Sequence, residues 1–102
     1  MYSTQHLSRL ATLETLVPDT MSAFQAFDRA ALAPGVLPAK TKELIAVAVA
    51  LTTQCPYCLE IHSAKAREAG ATETELAEAA MVAAALRAGA AVTHATHILK
   101  NS

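Results

Sequence analysis

The stretch at residues 43–54, ELIAVAVALTTQ, constrains the fold of this chain more than any other. It is apolar almost all round, and a short apolar run by itself fits a buried strand as well as a buried helix. Here Ala dominates the run, which continues directly from PAKTK, a good helix start whose proline suits a first turn. We therefore predict a helix over residues 39–53, and its apolar character on every side predicts a central, buried position.

The other patterns along the chain are helical as well. Apolar spacing and stop signals predict helices over residues 4–16, 18–32 and 73–86, and a further helix that starts at Cys55 or Pro56 and runs to residue 69, with Gly70 ending it. Gly89 is expected to break or bend the chain before a last helix that carries His94, His97 and Leu99. The predicted fold class is therefore all-α, a small domain of five to six helices around a central antiparallel helix pair.

Local signals refine this arrangement. Thr72 and Glu75 form a predicted capping box at the start of the 73–86 helix. The proline- and glycine-containing loop at 33–38 separates a predicted helical N-terminal arm, residues 1–33, from the rest of a single domain over 1–102. Two apolar stripes are expected to face inward: Leu7, Leu10, Leu13 and Leu16 in the first helix, and Met21, Phe24 and Phe27 in the second.

The amino-acid composition limits the kinds of partner that the chain is expected to bind. Ala supplies 24 of the 102 residues and the aromatic share is 4%, which favours close helix packing, while 53% hydrophobic residues are hard to hide in so small a domain. Self-association is therefore expected. The net charge of -1 gives no basic face for nucleic acid or a membrane surface. No secretory signal is evident, so we expect a cytoplasmic protein in which a structural disulfide is not favoured.

The tetrapeptide Cys55-Pro56-Tyr57-Cys58 is the sequence that glutaredoxins carry at their active site. In that class of protein the dithiol follows the first strand of a mixed sheet. Here it follows a predicted helix, and the residues after it are rich in Ala, Glu and Leu rather than in strand formers. The dithiol therefore belongs to a different, all-helical scaffold.

Cys55, Cys58 and His62 are spaced i, i+3 and i+7, so they share one face of a helix. A thiolate is the reactive form of cysteine, and both a helix N-terminus and a nearby imidazole favour it. Position at the helix start favours Cys55 as the attacking thiol, whereas proximity to His62 favours Cys58. The spacing leaves both assignments open.

Glu43 is the fourth candidate. It lies about 15 Å before the turn near residue 53, and His62 lies about 10 Å after it, at 1.5 Å of rise per residue. In an antiparallel helix pair the two side chains reach similar heights, so Glu43 can orient His62 or pass a proton through it. The alternative is a solvated acid near the helix start, where the helix dipole favours it.

The combined pattern runs from Glu43 through Cys55-x-x-Cys58 and His62 to Gly70 and Thr72-x-x-Glu75. It resembles the AhpD-like alkylhydroperoxidase family within the carboxymuconolactone decarboxylase superfamily, over roughly residues 38–91. The resemblance implies an all-helical domain that assembles as a trimer or, for chains of this length, often a hexamer. It also implies thiol-dependent reduction of hydroperoxides in antioxidant defence, with a dithiol or protein reductant, of lipoyl type in some members.

The resemblance also implies a role for each site residue. Cys58 is the peroxidatic cysteine, Cys55 the resolving cysteine, His62 the proton relay and Glu43 the general base acting through His62 and a water. No cofactor or metal is implied. Tyr57 stands where some members carry a His, and decarboxylase members of the superfamily lack the dithiol, so the chain resembles the redox branch.

Other functions remain open from the sequence. Cys55, Cys58 and His62 can serve as zinc ligands, with His94 or His97 as a fourth. A general disulfide oxidoreductase or a non-catalytic helical oligomer is also compatible with the composition. His6, His94 and His97 are interpreted as structural or surface groups.

Overall fold

The computed structural model describes residues 9–101, and within them the chain forms α-helices and no strand. The all-α fold class predicted from the sequence is confirmed. A short 3₁₀ turn, Ala95–His97, follows the last helix. The helices are α1 (Leu10–Leu16), α2 (Pro18–Leu32), α3 (Ala39–Thr53), α4 (Pro56–Glu68) and α5 (Glu73–His94).

Most helix bounds agree with the sequence prediction. α2 and α3 begin and end at the predicted residues, and α4 begins at Pro56, one of the two predicted starts. Proline at a first helical turn loses no hydrogen bond, because the N–H groups there have no partner in the helix. The predicted start of the first helix at residue 4, together with His6 and Leu7, lies outside the described residues.

The chain reverses direction between α3 and α4 at Gln54. This residue adopts a left-handed conformation (φ 56°, ψ 50°), which ends α3. The N–H of Cys55 then donates to the carbonyl of Ala50 at 3.0 Å, so the turn is tight and α4 starts at once. As a result α4 runs back along α3, and the two form the predicted central antiparallel pair.

The connection from α4 to α5 also follows its sequence signals. Gly70 has φ 97°, a conformation that favours glycine, and Ala71 N–H donates to the carbonyl of Ala66 at 2.9 Å. The capping box is present in full. Glu75 N–H donates to Thr72 Oγ1 at 3.1 Å, and Thr72 N–H donates to Glu75 Oε1 at 2.8 Å.

The predicted break at Gly89 is wrong. α5 continues through it to His94, and the only separate piece beyond is the 3₁₀ turn, so the expected last helix is absent within the described part of the chain. A glycine inside a helix costs about 1 kcal/mol relative to alanine. The helix-favouring alanines on both sides of Gly89 outweigh that cost.

The N-terminal helices lie against the central pair rather than in its core. Lys42 Nζ, on α3, donates to the carbonyls of Ala31 and Ala33 at 2.9 and 2.6 Å and so fixes the end of α2. The predicted inward stripes are wrong for Phe24 and Phe27 of α2, which are 57% and 70% exposed. They are also wrong for the described leucines of α1, which are 46%, 44% and 70% exposed: Leu10, Leu13 and Leu16. The division of the chain into an arm and a core stays a prediction.

The single chain buries little apolar side-chain surface. Among the described residues the buried apolar side chains are all small: Val47, Ala50, Ala66, Ala71 and Ala83. The accessible surface is 7634 Å², against about 5,500 Å² for a compact monomer of this mass. The radius of gyration is 17.3 Å, against about 13 Å for a compact domain of this length.

Two helices account for much of the exposed apolar surface. α3 contacts α4 and α5, yet Ile45 and Val49 are about half exposed, so its predicted burial holds for only part of the helix. The continuous segment Glu73–His97 is long and apolar enough, by length and composition, to cross a membrane, and little of it is buried.

Candidate active site

Glu43 and His62 form a buried pair across the α3–α4 hairpin. His62 Nδ1 lies 2.7 Å from Glu43 Oε2, and the two side chains are 17% and 10% exposed. The prediction that they reach the same height is confirmed, and the alternative of a solvated Glu43 is wrong. An ionised carboxylate only accepts hydrogen bonds, so Nδ1–H is the donor and Nε2 is the nitrogen left for other partners.

The two cysteines meet at the start of α4, and both are free thiols in the structure. Cys55 is the N-cap residue, and its Sγ accepts the backbone N–H of Cys58 at 3.3 Å. A sulfur in this position lies against the positive end of the helix dipole. The two cysteines are therefore in contact at the start of the helix.

The two thiols have different acidities. A hydrogen bond from the Cys58 side chain, together with that residue's backbone N–H, lowers the pKa of Cys55 below the usual cysteine value. The same side-chain contact raises the pKa of Cys58, and burial and the charges of Cys55 and Asp28 raise it further. In the resting dithiol Cys55 is therefore the more acidic thiol, and Cys58 holds its proton more tightly.

Cys58 and His62 open onto one cavity of about 540 Å³, which Cys55 does not line. Its walls come from α1, α2 and α4, and the apolar part is formed by Leu10, Phe24 and Ile61. Asp28, Tyr57 and Lys65 supply the polar part. A small organic molecule seated here lies against both Cys58 and His62.

Several lining residues were not predicted as part of a site. Lys65 is three residues after His62 and seven after Cys58, so helical spacing alone was enough to place it on their face. Phe24 and Asp28 are one turn apart on α2, but no sequence signal indicated that α2 and α4 line the same cavity. That contact depends on the docking of α2, which is a tertiary feature.

The C-terminal histidines lie apart from this site. The rings of His94 and His97 stack with centroids 5.5 Å apart, and His94 Nδ1 donates to the carbonyl of Ala90 at 2.9 Å. Across the residues that the structure describes, no group of three or more His, Cys, Asp or Glu side chains is arranged to hold a metal ion. The geometry therefore gives no support to the zinc alternative.

Comparison with known proteins gives consistent relatives. A protein described as uncharacterized protein 4 in the cox locus of Paracoccus denitrificans is 52% identical over 77 residues, 76% of this chain and 69% of its own. An uncharacterized protein of Cupriavidus necator is 39% identical over 82 residues, 80% of this chain and 73% of its own. These relatives share the sequence without supplying an activity.

Solved structures share both the sequence and the fold. A protein from Methanobacterium thermoautotrophicum superposes with a TM-score of 0.81 at 40% identity, covering 86% of this chain and 99% of that one. A carboxymuconolactone decarboxylase family protein from Legionella pneumophila gives a TM-score of 0.76 at 36% identity, covering 80% and 73%. The family model for carboxymuconolactone decarboxylases matches residues 18–101. The chain belongs to the carboxymuconolactone decarboxylase family.

Proposed function

We propose that the protein reduces organic hydroperoxides with the Cys55–Cys58 dithiol, at the expense of a dithiol reductant. One observation carries the proposal. His62 and Cys58 line the same cavity, while His62 Nδ1 lies 2.7 Å from Glu43 Oε2. This is the arrangement of a nucleophile, a base and an orienting group.

The cavity supports Cys58 as the attacking residue, with His62 as its base, because both residues line it and Cys55 does not. Because the pKa of Cys58 is raised, its thiol is protonated at rest and needs a base before it can attack. His62 Nε2 takes that proton, directly or through a water, and the Glu43 carboxylate stabilises the imidazolium that forms.

The reaction then proceeds in two steps. The Cys58 thiolate attacks one oxygen of the peroxide, the O–O bond breaks, and the alkoxide leaves as the alcohol with the proton from His62. Cys58 is now a sulfenic acid. Cys55 attacks its sulfur, hydroxide leaves and is protonated to water, and the disulfide that forms protects Cys58 from further oxidation. A dithiol reductant restores both thiols by exchange.

A turnover assay tests the proposal. The protein is given cumene hydroperoxide and a panel of dithiols, and the cysteines are then analysed by mass spectrometry. We expect peroxide loss, a Cys55–Cys58 disulfide before reductant is added, and no peroxide loss with Cys58→Ser. Cysteines that stay reduced in excess peroxide would rule the proposal out.

A second candidate is a general disulfide oxidoreductase. The lowered pKa of Cys55 and its position outside the cavity favour it, since a thiolate at a helix N-terminus can attack disulfides of larger partners. Reduction of a protein disulfide by the reduced chain, in a sample that does not consume peroxide, would select this alternative.

We also propose that the protein is a homo-oligomer, a hexamer or a trimer, in the cytoplasm. The excess accessible surface of about 2,100 Å² over a compact monomer exceeds what a standard protein–protein interface covers in total. Much of it is apolar and lies on α5, at Met81, Val82 and Leu86. The glutamates in the first two turns of α5, including Glu78, and Arg87 nearer its end favour a second copy over a membrane as its cover.

A further inference from the structure

Only one of the two cysteines whose disulfide the reductant must break lines the cavity. Thiol–disulfide exchange has a direction, because the incoming thiolate bonds to one sulfur and the other leaves. Cys58 lines the cavity together with Ile61 and His62, whereas Cys55 does not. A thiol that enters the cavity therefore meets Cys58 first.

The two cysteines also differ in how well their surroundings stabilise a departing thiolate. The Sγ of Cys55 accepts the backbone N–H of Cys58 at 3.3 Å and caps α4, so an electron pair that arrives there meets a donor and the helix dipole. An electron pair arriving on Cys58 would face an apolar wall and the carboxylate of Asp28. The pKa of Cys55 is lowered by its contacts with Cys58, and that of Cys58 is raised by the same pairing and by burial. The lower-pKa thiol leaves faster.

We infer that the reductant enters the same cavity as the peroxide and attacks Sγ of Cys58, expelling Cys55 as the thiolate. One cavity then serves both half-reactions, with peroxide entering it in the dithiol form and the reductant in the disulfide form. This inference rests on the proposed function for the identity of the oxidant, and concerns only how the disulfide is opened.

The reduction occurs in two exchange steps. One thiolate of a small dithiol forms a bond to Cys58 Sγ, the Cys55–Cys58 bond breaks, and its electron pair stays on Cys55. The second thiolate of the dithiol attacks its own partner sulfur in the mixed disulfide, which releases Cys58. Cys58 takes up a proton, and the dithiol leaves as a cyclic disulfide, having lost two electrons and two protons.

The first arm of the test locates the mixed disulfide. The protein disulfide is made with diamide, so that peroxide activity is not needed, and is then exposed briefly to 2-mercaptoethanol. Acid quenching, maleimide labelling of free thiols and fragmentation mass spectrometry follow. We expect mercaptoethanol on Cys58 and maleimide on Cys55, and the reverse pattern would overturn the inference.

The second arm blocks the cavity. Ile61→Trp fills it, and Val36→Trp adds the same side chain at a fully exposed loop position. We expect Ile61→Trp to slow reduction of the diamide-made disulfide by dithiothreitol at least about tenfold, because the thiol can no longer align with Cys58. Val36→Trp should reduce at the wild-type rate.

A slowed peroxide step with an unchanged reduction step in Ile61→Trp would show two separate entrances and overturn the shared cavity. Absence of any reaction with peroxide in the wild type, combined with slowed reduction in Ile61→Trp, would instead refute only the proposed peroxidase activity. The two failures are therefore distinguishable.

Discussion

The α3–α4 hairpin and helix α5 differ in how their side chains are partnered within the chain. In the hairpin the polar groups are matched within one chain: Glu43 meets His62 at 2.7 Å, and Cys55 caps the helix that carries Cys58. α5 is almost as apolar as a membrane span, yet its large side chains, such as Met81 and Leu86, are mostly exposed. The four candidate site residues thus lie within about twenty consecutive residues, while α5 would be covered by a partner surface in the proposed oligomer.

The reactivity of the thiols and the stability of the fold therefore depend on different regions of the molecule. A core made of one valine and four alanines buries little apolar area, and small cores give marginal stability. We infer that assembly supplies much of the folding free energy, whereas the acidities of the two thiols come from contacts within the hairpin. Substitutions in the two regions should therefore have different effects.

The largest effect is expected from the Glu43–His62 pair. His62→Ala removes the base for Cys58 and should slow the oxidation of Cys58 by peroxide about 10² to 10⁴-fold at neutral pH. Glu43→Gln, which keeps the shape but loses the charge that stabilises the imidazolium, should have a smaller effect in the same direction. Stopped-flow measurement of the oxidation step tests both. An unchanged rate in His62→Ala would remove the pair from the mechanism.

The second effect concerns assembly. Leu86 is 66% exposed in the single chain, so Leu86→Glu leaves the monomer's own packing intact but introduces a charge into the proposed interface. We expect a smaller species in sedimentation velocity with helix content retained by circular dichroism, while Val36→Glu, the matched change in a loop, keeps the native mass. An unchanged mass for Leu86→Glu would exclude this face of α5 as the interface.

The third effect concerns pH. Since the pKa of Cys55 is lowered chiefly by the Cys58 thiol, its thiolate persists to lower pH than that of a free cysteine. Cys58→Ala removes this donor and should move the titration of Cys55 upward, whereas Thr53→Val, a change in the preceding turn, should not. The ultraviolet absorbance of the thiolate follows the titration. A midpoint unaffected by Cys58→Ala would show that the helix terminus alone sets the acidity.

The smallest effect is expected at the start of α5. Thr72→Ala removes one half of the capping box and should reduce the free energy of unfolding by about 1 kcal/mol. Arg67→Ala breaks an exposed ion pair with Glu73 and should change stability less. Chemical denaturation at one fixed protein concentration compares the two. A larger loss with Arg67→Ala would mean that this pair does more than a surface ion pair.

Local rules predicted the fold wherever the signal lay within one segment. The bounds of α2 and α3, the stop at Gly70 and the Thr72 capping box each depend on residues close in sequence. The Glu43–His62 contact was predictable because a tight turn and a fixed rise per residue determine it.

What could not be predicted depends on how helices dock. The exposure of Phe27 and the role of Asp28 as a cavity wall follow from the position of α2 against α4, which apolar spacing does not contain. Gly89 does not interrupt α5, because the helix propensity of the residues around it outweighs the low helix propensity of one glycine.

Trapping of the sulfenic acid tests most directly the claim that Cys58 is the residue that attacks peroxide. Cys55→Ser and Cys58→Ser are each treated with stoichiometric cumene hydroperoxide in the presence of a sulfenic-acid-specific dione, and the modified residue is identified by mass spectrometry. Attack by Cys58 predicts an adduct on Cys58 in Cys55→Ser and none in Cys58→Ser. An adduct on Cys55 in Cys58→Ser, with none on Cys58 in Cys55→Ser, would reverse the roles of the two cysteines.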